Sequence, residues 1–225
     1  MTPFQLSEEL LEQVIGDIAS ENDKALQTLF KEYHYADLAE IFDALQIEQA
    51  VYLFKLIDSE KTADMLTELD EDVRESILDA LSSEEIATEI NELDTDDAVD
   101  IVAELPMEIR KEVIDQISDT EHADDIRELL TYDENSAGGL MAKELVCVNQ
   151  NWTVTRCVRE MRIQAQEVTR VHSIYVVDNE DVLLGRLSLK DLLTANEKSK
   201  IASIYIPKVD YVQAVSYTHL TLPTT

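Results

Sequence analysis

Cysteine is nearly absent: Cys147 and Cys157 are too few for a disulfide framework and form no CxxC pair, which suits a reducing cytoplasm. No apolar run approaches the roughly 18–20 residues needed to span a bilayer. The N-terminus lacks a basic stretch followed by an apolar core, so no signal peptide is expected and the chain reads as soluble. Catalytic signatures are missing too. His34, His122 and His172 have no HExxH or Cys/His neighbourhood, and there is no GxSxG and no P-loop. The reading is therefore not an enzyme. Each His reads as a surface or half-buried side chain, and Trp152 as a packing residue.

Cations are the scarcest resource in the first part of the chain. Residues 1–134 hold 39 Asp/Glu against 8 Lys/Arg, whereas residues 135–225 hold 9 against 10. The net charge of −30 is thus carried almost entirely by the first 134 residues, and a domain boundary near Asn135 follows from charge alone. Such a surface repels nucleic acid and anionic headgroups, whose binding needs Lys and Arg on the phosphates. It attracts cations, and self-repulsion destabilises it unless something neutralises it. An apolar content of 45% is ordinary for a globular protein, so the charge does not imply disorder.

What is present is a repeat of twelve residues from Ala36 to Leu130. Leu45, Ile57, Leu69, Leu81, Leu93, Leu105, Ile117 and Leu129 form one comb. Three residues earlier lie Phe42, Phe54, Leu66, Leu78, Ile90, Val102, Ile114 and Ile126. Residues three apart share a helix face, so each unit predicts a short helix with a small apolar stripe. Between stripes come turn and cap residues: Asp58-Ser59, Asp70-Glu71, Ser82-Ser83, Asp94-Thr95, Pro106 and Ser118-Asp119. A helix of about two turns cannot bury its stripe alone, so the units must stack into a helical solenoid. One long helix or coiled coil is excluded by Pro106 and by a period of twelve rather than seven.

Taken in order, residues 4–33 predict two helices separated at Ser20–Asp23, which cap the solenoid. The pattern changes at 133–141, where Gly138-Gly139 reads as a hinge, with 135–144 as linker. Beyond it the spacing predicts a strand at Leu145–Val148, a helix over Val154–Ile163 and a strand at Ile174–Asp178. A turn at Asn179–Asp181 leads to a partner strand, Val182–Leu187, then helices at Leu189–Asn196 and around Ile201–Ile204. That order is a small α+β unit over 145–206. Residues 207–215 read as the start of another strand. Residues 216–225 carry four Thr and no charge, fit nothing before them, and read as a non-native tail on a truncated chain.

Two constellations can carry chemistry. In Asp94–Asp100, Asp96 and Asp100 are four apart, which puts both carboxylates on one helix face, where a divalent cation would relieve their repulsion. Solvated acids in a first turn after a Thr95 cap are the plainer alternative. The EF-hand template fails, because Val99 stands where its Gly belongs and Leu105 where its Glu belongs. Magnesium keeps most of its waters and needs one or two carboxylates, so a weak hydrated site at Asp96, Asp97 and Asp100 fits. The second is Gly185–Asp191 at a strand-to-helix junction. There free N–H groups, the Ser188 hydroxyl and Lys190 suit phosphate, and Asp191 suits ribose hydroxyls. A helix N-cap at Ser188 with an acid in the first turn is the alternative.

The runs Leu93–Asp100, Leu129–Met141 and Trp152–Val154 resemble the MgtE family of magnesium transporters, and Ile174–Asp178 with Gly185–Leu192 resembles that family's first CBS motif. The similarity covers about residues 20–215. It implies a mainly α fold: a right-handed superhelical solenoid of short helices, followed by an α+β CBS motif and the start of a second. It also implies an acidic N domain and a CBS pair on the cytoplasmic face of a membrane pore. In that family magnesium bound between the acidic surfaces keeps the pore closed, and the protein is a homodimer through its CBS motifs. Asp96 and Asp100 match acids implicated in magnesium binding there. Ser188, Lys190 and Asp191 match the CBS nucleotide motif, at which some members bind ATP; Ser173 stands where such members can carry a Tyr. The resulting expectation is a magnesium-sensing regulatory region whose transmembrane domain is not in this sequence, and which takes no nucleic acid. The rival is a helical protein-interaction scaffold whose CBS motif senses an adenine nucleotide.

Overall fold

The computed structural model describes residues 4–165, 168, 171 and 173–217. His172 and residues 218–225 of the tail lie outside them. The chain divides into two compact units: Met1–Leu93 with Asp97–Leu130, and Asp94–Asp96 with Thr131–Thr225.

The first unit is helical. It opens with α1 (Glu8–Ala19) and α2 (Asp23–Phe30), then repeats: α3 (Tyr35–Asp43), α4 (Ile47–Phe54), α5 (Ser59–Glu68), α6 (Glu71–Asp79), α7 (Ser83–Ile90), α8 (Thr95–Glu104), α9 (Met107–Gln116) and α10 (Thr120–Leu129). From α3 to α9 each helix starts twelve residues after the last, and α10 starts thirteen after α9. Helices pack on their second neighbours, α3 on α5, α5 on α7, α7 on α9, and α4 on α6. Short helices thus form two interleaved rows, each covering the stripe its neighbour cannot bury alone. The comb from Phe42 to Ile126 lies in the last turns of the helices and is buried throughout. The comb from Leu45 differs from expectation. Seven of its eight members fall just past a helix end, and only Leu129 is helical. There the backbone N–H groups of Leu45, Leu81, Leu93, Leu105 and Ile117 donate to the carbonyls three residues back and tighten the last turn, with Ile57 and Leu81 left half-buried.

Three of the few cations of this unit close helix ends. Lys61 Nζ donates to the carbonyls of Phe30, Lys31 and Tyr33 at 2.7–3.2 Å, past the end of α2. Arg74 donates to Leu66 O and Leu69 O at the end of α5, and bidentately to Glu104 at 2.9 and 2.6 Å. Arg110 donates to Ala103 O and Leu105 O at the end of α8. Orphan carbonyls and the negative end of the helix dipole make these favourable places for a cation. The Arg74 side chain is 14% exposed. Arg74→Ala should therefore lower stability by about 2 kcal/mol, through lost charge-assisted hydrogen bonds and two uncapped carbonyls. Urea denaturation checks this, and Arg74→Lys should recover part of the loss.

The second unit holds β1 (Val146–Asn149), α11 (Val154–Gln164), β2 (Ile174–Val177), β3 (Leu183–Leu187) and α12 (Leu189–Thr194). The sheet order is β1-β2-β3, with β1 parallel and β3 antiparallel to β2. Val146, Val148, Cys157, Ile174, Val176, Leu187 and Leu192 close the core, and half-buried Trp152 packs on it beneath the Arg156 guanidinium. Four expectations change. The last helix is a single 3-10 turn, Ile201–Ser203, and α12 stops at Thr194. Residues 207–215 form no strand; Ile206 alone pairs with Arg186. The stretch read as a hinge is hydrogen-bonded within this unit, Ala137 N to Ser216 O and Gly138 N to Ala214 O. A side chain at Gly139 would collide with the backbone of Asp133 and Glu134, so the tight turn requires glycine.

Candidate functional site

Helix α8 carries the acidic constellation. Asp96 and Asp97 stand in its first turn and Asp100 one turn later. Asp96 is half-buried, whereas Asp97 and Asp100 are exposed. Asp100 also contributes to the field that holds the Arg74 guanidinium charged, behind the larger effect of Glu104. Thr95 is not the cap expected. It is the first helical residue, 1% exposed, and its N–H and hydroxyl donate to the two oxygens of Glu144 at 3.0 and 2.8 Å. Its hydroxyl oxygen in turn accepts from Lys143 N at 2.8 Å. A carboxylate from 49 residues away thus holds the Thr95 N–H and hydroxyl within the second unit.

Among the described residues no three His, Cys, Asp or Glu converge on a point that could hold a metal. Asp96, Asp97 and Asp100 therefore form no closed cage of the kind calcium takes.

The second constellation lines a cavity. Ser188, Lys190 and Asp191, together with Ser173, Arg186 and Ile206, surround a volume of about 500 Å³ at the β3–α12 junction. Ser188 is the N-cap residue of α12, yet its side chain makes no capping bond, which leaves the hydroxyl to the cavity. Two cations, two hydroxyls and one carboxylate on one wall can bind a phosphorylated ribose. Arg186 belongs to this wall and was legible as the outward position between buried Gly185 and Leu187. Glu144 had no local signal. A larger cavity, about 1030 Å³, lies in the first unit around Phe30, Tyr33 and Lys61 and contains none of the candidate residues.

Comparisons with known proteins agree with both parts. Residues 33–135 match the model of the MgtE intracellular N domain, and residues 137–198 match that of the CBS domain. The magnesium transporter MgtE of Thermus thermophilus is 43% identical over 82 residues, 36% of this chain and 18% of that protein. The magnesium transporter MgtE of Enterococcus faecalis is 34% identical over 80 residues, with the same coverage. The matched stretch is thus less than a fifth of the length of these relatives. Among solved structures, the cytosolic domain of the Mg2+ channel MgtE in complex with ATP superposes with a TM-score of 0.83 at 29% identity, covering 92% of this chain and 85% of that one. The soluble part of a magnesium transporter gives 0.79 at 25% identity, covering 93% and 82%.

Proposed function

We propose that this chain, whose residues 33–135 belong to the MgtE intracellular N domain family and whose residues 137–198 are a CBS domain, is the magnesium-sensing regulatory region of a magnesium transporter. The observation that carries the reading is the charge: 39 acids against 8 cations over residues 1–134, with the enclosed cations Lys61, Arg74 and Arg110 spent on helix ends. Most of the other acids lie at the surface and repel one another. Magnesium neutralises them through shared waters, and α8 offers Asp96, Asp97 and Asp100 as inner contacts. In the complete protein this region lies on the cytoplasmic face, joined to a transmembrane domain and paired with a second copy. Among the described residues no helix is long and apolar enough to cross a membrane.

The energetics favour several weak ions over one tight ion. One ion at about 100 times its Kd contributes roughly 2.7 kcal/mol. Moving a two-state element from 1:99 to 99:1 takes about 5.5 kcal/mol. Two well-filled ions, or more weak ones, supply that.

Charge substitution at α8 tests the assignment. Asp96→Lys with Asp100→Lys should remove the α8 part of the magnesium heat in titration calorimetry, and Asp96→Asn with Asp100→Asn should reduce it without placing a cation beside Arg74. Unchanged magnesium binding in both variants would remove α8 from the site. A second ligand is favoured by the cavity at Ser188, Lys190 and Asp191, which suits an adenine nucleotide; its solved relative holds ATP. A scaffold without ion specificity would instead respond to ionic strength alone, sodium and magnesium acting alike.

A further inference from the structure

One acid of the helical unit does not face water. Glu89, on α7, is 8% exposed, and its Oε2 lies 2.7 Å from the Thr62 hydroxyl of α5, itself fully buried. The same hydroxyl oxygen lies 3.2 Å from Asp58 O and 3.3 Å from Ser59 O. Three acceptors therefore surround a single hydroxyl proton whenever Glu89 is ionised, and at most one is well served. A protonated Glu89 removes the conflict: its O–H donates to Thr62 Oγ1, and Thr62 donates to a carbonyl of its own helix. The charges that act on Glu89 do not help an anion, since Glu92 and Asp58 are both acids. On α5, Lys61 is turned to the carbonyls of Phe30, Lys31 and Tyr33. On α7, Glu85 is engaged by Lys55 and Ser82. From α9, packed against α7, no charge is among those acting on Glu89.

We propose that the buried Thr62–Glu89 contact is a protonation-controlled joint in the row of helices α3-α5-α7-α9: the neutral carboxyl ties α5 to α7, and its ionisation loosens them. Burial is the main cause that raises Glu89 to about 7 from its ordinary 4.5. The folded chain thus keeps a proton that the unfolded chain has released. Stability from this group is complete below pH 4.5 and falls as pH rises towards 7, by up to a factor of ten per pH unit. The whole effect is on the order of 100-fold in the unfolding constant.

The test is carbon-13 NMR of the Glu89 side-chain carboxyl in the full chain from pH 4 to 9, assigned by its disappearance in Glu89→Gln. A midpoint near 7 is expected; a midpoint below about 5 overturns the joint. Unfolding of the two proteins at pH 5 and 8 gives an independent reading that self-repulsion of the other acids cannot mimic, because both proteins carry them. Glu89→Gln keeps a neutral donor for Thr62 and should gain on the order of 100-fold over the unsubstituted chain between these two pH values. Equal pH dependence in the two proteins contradicts the proposal.

Discussion

Phe42→Ala should cost the helical unit about 3–5 kcal/mol, a large part of the 5–15 kcal/mol that holds a typical domain. Phe42 is fully buried in the last turn of α3, where that helix packs on α5. Truncation removes apolar area and leaves a cavity between rows that a two-turn helix cannot close by moving alone. In a stack with nearest-neighbour interfaces the loosened layer also weakens its neighbours. Urea denaturation followed by far-ultraviolet circular dichroism checks this. Met107→Ala, at a residue 80% exposed on α9, is the control and should stay within about 0.5 kcal/mol. A loss below 1 kcal/mol for Phe42→Ala would mean that the comb is not the core.

Gly185→Ala should damage the second unit as severely as any surface charge change should spare it. Its backbone lies in an ordinary negative-φ conformation; what demands glycine is close approach. An added Cβ would run into Ile206 O and the Tyr205 ring. That carbonyl accepts from Arg186 N at 3.0 Å, while Ile206 N donates back to Arg186 O at 2.8 Å. Overpacking here should cost about 1–3 kcal/mol. Because Arg186 and Ile206 also line the cavity at Ser188, ATP affinity should fall by at least about tenfold, the equivalent of about 1.4 kcal/mol. Trp152, the chain's single tryptophan, packs on the core of this unit, so its fluorescence reports the effect without interference from the helices. Unchanged ATP binding would show that the nucleotide, if bound, sits elsewhere.

The helical unit was largely legible because its signal is periodic. Twelve-residue spacing placed seven successive helix starts, and the comb at Phe42 named the buried side chains. Sequence reasoning misjudged the comb at Leu45, because a residue three beyond another looks co-facial whether the helix continues or has just closed. The order of β1, α11, β2 and β3 was legible from alternation and turn residues. The expected strand over 207–215 was not formed, since an apolar run shows propensity but not whether a partner edge is free. At the candidate sites the local clusters, Asp96 to Asp100 and Ser188 to Asp191, were visible as spacings. The long-range partners were not. Glu144 on Thr95 and Thr62 against Glu89 join residues 49 and 27 apart, and nothing in a single sequence marks such pairs.

Magnesium that specifically neutralises this acidic region should also compact it. Small-angle scattering of residues 1–215, titrated with magnesium at constant ionic strength beside sodium and calcium, tests it most directly. The radius of gyration should fall at millimolar magnesium, an effect that sodium does not reproduce and that Asp96→Lys with Asp100→Lys removes. A radius that follows ionic strength alone, or that does not change, would contradict it.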